Sequence, residues 1–235
     1  MTTHPARLAL ITGASRGLGL ARASALARAG WSLILDARAP EPLDAIREAL
    51  SSLTTVYALA GDVADPAHRR ALASLAARLG GLDAVVNNAS SLGPSPLPPL
   101  LSYPLAALEA VYRTNVLAPL ALLQDLAASL KPDACIMNIS SDAAVAAYPG
   151  WGGYGSSKAA LEQLSAVLAA ENPAYRIYWV DPGDMRTEMH QLAFPGEDIS
   201  DRPPPEESVL GLLVLLEGDL PSGRYQARSL QPATT

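Results

Sequence analysis

Residues 8–19 read LALITGASRGLG. Leu8–Thr12 is short and apolar and predicts a strand. Gly17–Ala29 carries an Ala/Leu-rich helical pattern closed by Gly30, a residue common just past a helix end. A strand that feeds a helix through Gly13, Gly17 and Gly19 lets backbone approach a phosphate closely. The helix N-terminus adds free N–H groups and positive potential. The spacing is G-x-x-x-G-x-G, wider than the dinucleotide fingerprint G-x-G-x-x-G. Glycines that merely make a tight turn are the alternative. No G-K-[S/T] follows, which excludes a P-loop.

Working outward, short apolar runs alternate with helical patterns. Strands are predicted at Ser32–Asp36, Val56–Ala60, Asp83–Asn87, Ala134–Ser140 and Arg176–Asp181, with a short last one at Gly223–Ala227. Helices are predicted at Leu43–Leu50, with Pro40 and Pro42 at its entrance, and from Asp65-Pro66, an N-cap followed by proline, to about Leu79. Further helices begin near Leu105, cover Tyr154–Glu171 and end near 206–217. Strands that are apolar throughout, each separated from the next by a helix, indicate a parallel sheet covered on both faces. The expectation is one α/β doubly wound domain over residues 1–235. Residues 188–206, with Pro195, Gly196 and Pro203–Pro205, break the rhythm and predict an irregular segment.

Composition narrows the function. The chain has 235 residues, 49% of them hydrophobic, enough for a substantial core. A net charge of −6 with scattered charges argues against nucleic acid. The single cysteine, Cys135, rules out an intrachain disulfide and sits in an apolar run. The N-terminus lacks a signal-peptide pattern, and apolar runs such as Val209–Leu216 fall short of the roughly 20 residues that span a bilayer. No membrane association and a cytoplasmic location are expected. His4, His68 and His190 are isolated, so no metal is expected. Ser141 has no G-x-S-x-G elbow and does not form a hydrolase triad with Asp142 and His190.

The chemistry concentrates in mid-chain. Tyr154 and Lys158 are i and i+4 on a predicted helix and share one face, with Ser141 thirteen residues before the tyrosine. A free tyrosine, with a pKa near 10, exchanges protons poorly at neutral pH. An ammonium within about 4–6 Å favours the phenolate and is expected to lower that value. Asn115 precedes Pro119 by four residues; proline has no N–H, which leaves the Asn115 carbonyl free or simply kinks the helix.

In order and spacing these motifs resemble the short-chain dehydrogenase/reductase family across most of residues 7–187. The matching segments are TGASRGLG, Asp62-Val63 after the third strand, NNAS at 87–90, Asn115, Ser141, Tyr154/Lys158, and Pro182-Gly183 followed by Thr187. Two departures stand out: Ser90 replaces the last glycine of NNAG, and the short C-terminal part lacks the glycine pair that ends many members. The resemblance implies a Rossmann-type fold and hydride transfer between a nicotinamide and a carbonyl or secondary alcohol. It implies Asn115, Ser141, Tyr154 and Lys158 as catalytic, with Ser141 preferred over Ser140. It implies cofactor contacts from Gly13, Ser15, Arg16, Gly17, Leu18, Gly19, Arg38, Asp62, Val63, Asn88, Pro182, Gly183, Met185 and Thr187, besides Tyr154 and Lys158.

Cofactor choice turns on Asp36-Ala37-Arg38. NAD sites place a carboxylate at the tip of the second strand, and NADP sites an arginine. The family register puts Ala37 at the carboxylate position and Arg38 at the arginine position, with Arg16 as a second cation. That favours NADP, although a one-residue slip would make Asp36 an NAD carboxylate. The resemblance further implies a small-molecule carbonyl or alcohol substrate, 188–206 as its lid, and a homodimer or homotetramer. A nucleotide-binding regulator or redox sensor on the same fold is the alternative function.

Overall fold

The computed structural model describes residues 7–230; His4 lies outside them. Seven parallel strands form one sheet in the order β3-β2-β1-β4-β5-β6-β7. They are β1 Leu8–Thr12, β2 Ser32–Ala37, β3 Val56–Ala60, β4 Leu82–Asn87, β5 Leu130–Ile139, β6 Arg176–Asp181 and β7 Gly223–Gln226. The doubly wound expectation holds, and β1, β3 and β6 keep their predicted bounds.

Every residue of β1 is buried, as a strand covered on both faces requires. Alternation within β2 shows the two layers. Leu33 and Leu35 join a core with Leu26 of α1 (Gly17–Arg28), Leu43 of α2 (Pro40–Leu50) and Leu212 of α8 (Glu206–Glu217). Ile34 points the other way, to Leu72 of α3 (Pro66–Arg78) and Leu122 of α5 (Ala118–Leu126). Each fully buried leucine contributes about 1.5–3 kcal/mol over its exposed state. Cys135 is buried in the first of these cores.

Beyond end shifts of one or two residues, four features differ from expectation. α2 starts at Pro40 rather than Leu43, because both prolines fit the first turn, where a missing N–H leaves nothing unpaired. β5 starts at Leu130 rather than Ala134; the polar Lys131 and Asp133 hid its outer half, which shifts register against β4 and passes Asp133 at φ 60°. The helix from Leu105 is not continuous. α4 (Leu105–Tyr112) gives way to a wide π-type turn at Arg113–Leu117 before α5, so that Pro119 falls in the first turn of a new helix. Residues 188–206 are not wholly irregular: Thr187 caps the short helix α7, Glu188–Ala193, by accepting a bond from the His190 amide at 3.2 Å.

Strand order reverses between β1 and β4, and the loops leaving the C-terminal ends of the strands open a crevice there, where ligands bind in such sheets. No described helix is long and apolar enough to cross a membrane.

Candidate active site

The glycine turn is held from the side by β4. The Thr12 hydroxyl accepts the amides of Asn88 and Ala89, each at 3.0 Å, and the Asn88 amide donates to the carbonyls of Thr12 (2.9 Å) and Gly13 (3.1 Å). Asn88 therefore braces the turn. At Gly19 a Cβ would lie 2.2 Å from the Gly13 carbonyl oxygen, so only glycine lets the first turn of α1 pack so close. No side chain caps α1, leaving its first amides for a ligand.

A cavity of about 670 Å³ runs from this turn along the strand ends. Asp36, Ala37, Arg38, Asp62 and Val63 line it near β2 and β3; Gly13, Ser15, Arg16, Gly17, Leu18 and Asn88 line its middle. Tyr154, Lys158, Pro182, Met185 and Thr187 close it near β5 and β6. Four expected residues do not line it. Gly19 and Gly183 shape turns, with the Gly183 amide donating to Asp181 at 2.9 Å, while Asn115, which is buried, and Ser141 lie outside its lining. Arg38 is exposed, and Arg16 pairs with Glu188 of α7. Asp36 is buried with its Oδ1 2.6 Å from His68 Nε2.

At the inner end, α6 (Gly152–Glu171) carries Tyr154 and Lys158, both buried, with Nζ 5.4 Å from the phenol ring centroid. Nζ donates to the Ile139 carbonyl at the end of β5, 2.7 Å away. Loss of water pushes the lysine down to about 7. The expected lowering of the tyrosine does not occur within the protein's own groups. Burial raises the phenol, the Asp142 carboxylate raises it further, and the Ser90 and Ser141 hydroxyls pull it back only in part. Tyr154 therefore keeps its proton at neutral pH.

The two candidate serines differ in their contacts, and of the two it is Ser140 that lines the cavity. Ser140 donates to Glu162 at 2.6 Å, whereas Ser141 faces Tyr154, donating to Asp142 at 2.9 Å and accepting the Ala143 amide at 3.2 Å. Asn115 is buried in the π-type turn, and Pro119 offers its carbonyl no N–H. Its side chain is fully engaged: Oδ1 accepts from the Ser91 amide (2.7 Å) and the Ser90 hydroxyl (3.2 Å), and Nδ2 donates to the Ser91 carbonyl and the Ser157 hydroxyl, each at 2.9 Å. Asn115 thus locks the β4 exit loop onto the helix turn that carries Lys158. Ser90, the departure from the family's glycine, supplies one of these bonds and a neighbour for the phenol.

Sequence reasoning missed a second brace. Arg224 of β7 holds Glu162 of α6 at 3.0 Å and the Ser141 carbonyl at 3.3 Å, and lies 3.8 Å from Asp181. Glu162, four residues past Lys158, was a possible signal; nothing in the sequence around Arg224 pointed to it. The bare turn, the uncapped helix, two arginines near the outer end and the buried lysine together fit an elongated anionic dinucleotide.

A family profile described as short chain dehydrogenase matches residues 7–198. A serine 3-dehydrogenase from Rhizobium radiobacter is 34% identical over 77% of this chain and 72% of its own length. A rhamnolipid-biosynthesis 3-oxoacyl-[acyl-carrier-protein] reductase from Pseudomonas aeruginosa is 37% identical over 70% of this chain and 66% of its own. Among solved structures, a short chain dehydrogenase from Shigella flexneri 2a complexed with NADP superposes with a TM-score of 0.86 at 29% identity, covering 94% of this chain and 97% of that one.

Proposed function

The chain belongs to the short chain dehydrogenase family and is an NAD(P)-dependent oxidoreductase; from that premise we propose that it uses NADP and reduces a carbonyl, or oxidises a secondary alcohol, with Tyr154 as the proton-exchanging group. The observation that carries this reading is the burial of Tyr154 and Lys158 together at the inner end of the cavity that begins at the glycine turn.

The turn's amides would take the pyrophosphate, Asp62 and Val63 the adenine, and Arg38 the 2′-phosphate, with Arg16 as a second cation; all of these side chains line the cavity. Lys158 would hold the nicotinamide ribose, and Met185 and Thr187 would hold the nicotinamide end. When bound, the cofactor supplies or accepts the hydride. Tyr154, protonated, gives its proton to the substrate oxygen in reduction, and Ser141 orients that oxygen. Lys158, with a pKa of about 7, returns a proton to the phenol, and the Asn115 carbonyl holds a water that connects it to solvent. The support for this route is the absent amide at Pro119 and the rigid hold on the Asn115 side chain.

The substrate side is apolar: Leu92 and Ala143 pack on Tyr154, with Trp151, Met189 and Phe194 behind them. A carbonyl carrying an apolar substituent suits such walls. Residues 188–206 form its lid. α7 is tied to the glycine turn by the Arg16–Glu188 pair, and the Leu192 carbonyl accepts from Ser95 at 2.7 Å. Hydrogen exchange across 188–206 should slow on adding NADP and an inhibitor; no change removes the lid. The chain works as a homodimer or homotetramer. α4 and α6 pack together and leave Leu105 and Val167 exposed. Light scattering that returns a single 24.5 kDa chain at micromolar concentration contradicts this.

NADPH oxidation across a carbonyl panel tests the reading. Turnover supports it, whereas tight NADPH binding with no turnover on any carbonyl points to a nucleotide-binding regulator.

A further inference from the structure

The proposed NADP site contains a residue that should work against it. Asp36 pairs with Thr12 across β1 and β2, one residue before the position where a carboxylate ordinarily selects the unphosphorylated ribose. A free carboxylate there would repel a 2′-phosphate, and Asp62 adds a second negative charge close by. The side chain of Asp36 is not free. His68, in the first turn of α3, covers it with Nε2 2.6 Å from Oδ1, the two side chains being 9% and 2% exposed. The imidazole lies so close to Gly61 that a Cβ there would come within 2.2 Å of Nδ1, so the bare backbone after β3 makes room for the ring. Burial raises the Asp36 carboxyl, while the His68 hydrogen bond and the Gly13 amide favour its charged form.

We propose that His68 determines nucleotide specificity: by covering and compensating Asp36 it withdraws that carboxylate from the ribose and leaves the exposed Arg38 to receive a 2′-phosphate. The proposal rests on the NADP reading above. It also explains how an acidic residue can sit two positions before the arginine of an NADP site. Specificity here is a difference of two affinities, set by removing a repulsive group as well as by supplying attractive ones.

Calorimetric titration of NADP and NAD into the wild type, His68→Ala, Asp36→Asn and the double variant tests it. His68→Ala should lose about tenfold in NADP affinity while NAD binding is unchanged or tighter. The double variant should return to within about threefold of the wild type for NADP, although the ring is still missing. Two results overturn the inference: an unchanged NADP-to-NAD ratio in His68→Ala, or a double variant as weak as His68→Ala, which is the signature of a merely structural ring. Should His68→Ala fail to fold, Asp36→Asn alone decides, since it must keep or raise the NADP-to-NAD ratio and a fall refutes the idea. A wild type that binds NAD but not NADP, or neither, refutes the cofactor reading itself, and the inference falls with it.

Discussion

The two ends of the cavity are made of different materials. Near β1–β3 the protein presents backbone: a bare glycine turn, an uncapped helix and two arginines near the rim. Near β4–β7 it presents buried titratable side chains, each held by a polar network that reaches across the sheet, from Asn115 on one side to Arg224 on the other. Backbone and surface cations can bind an anion with little preparation. A phenol and an amine taken out of water need their positions and protonation enforced, and that accounts for the denser bracing at the inner end. Binding and chemistry thus occupy separable regions, so substitutions at one end should leave the other largely intact.

Lys158→Met should break the separation most strongly, because this residue belongs to both ends. Turnover should fall by about 10²–10⁴-fold, with cofactor affinity weakened too. Its pH signature is independent of turnover. Burial lowers the folded-state pKa from 10.5 to about 7, so the unfolded chain binds more protons between those values. Stability contributed at this site must therefore rise with pH across that window. In thermal melts without cofactor, the wild type should gain on Lys158→Met by a few degrees between pH 7 and pH 10; parallel curves would show that the amine is not desolvated.

Gly19→Val should act on the outer end alone. Its Cβ would meet the Gly13 carbonyl oxygen, and relief of that contact should cost about 1–3 kcal/mol and distort the turn. Calorimetry should give weaker binding of NADP and NAD alike, with the pH signature of Lys158 preserved. Arg38→Ala should have the narrowest effect, confined to one of the two cofactors. Loss of one charge-assisted bond, about 1.5–3 kcal/mol, should fall on NADP and spare NAD. Equal weakening of both in a competition titration would move the arginine out of the 2′-phosphate site.

The same contrast governed how much could be read in the sequence. The outer end was legible because its signal is local: strand, glycines and helix lie within residues 8–29, and the apolar runs gave the sheet. Tyr154 and Lys158 were legible because one helix face carries both. What surrounds them was not. The Asn115–Ser90–Ser157 lock, the Glu162–Arg224 brace and the His68–Asp36 pair join residues 25 to 62 positions apart, through contacts that only the folded topology creates. The raised phenol follows from burial depth, which the i, i+4 spacing does not encode. Polar Lys131 and Asp133 likewise disguised the start of β5, since its outer half extends beyond the packed layers.

Tyr154→Phe tests the central claim most directly, with steady-state NADPH oxidation and NADPH fluorescence titration run on the same preparation. The ring, helix and lysine remain, and only the proton donor is removed. The account predicts that turnover falls by at least about 10²-fold while the NADPH dissociation constant stays within about threefold of the wild type. Reductase activity that survives the substitution, or a loss of activity matched by an equal loss of cofactor binding, would contradict it.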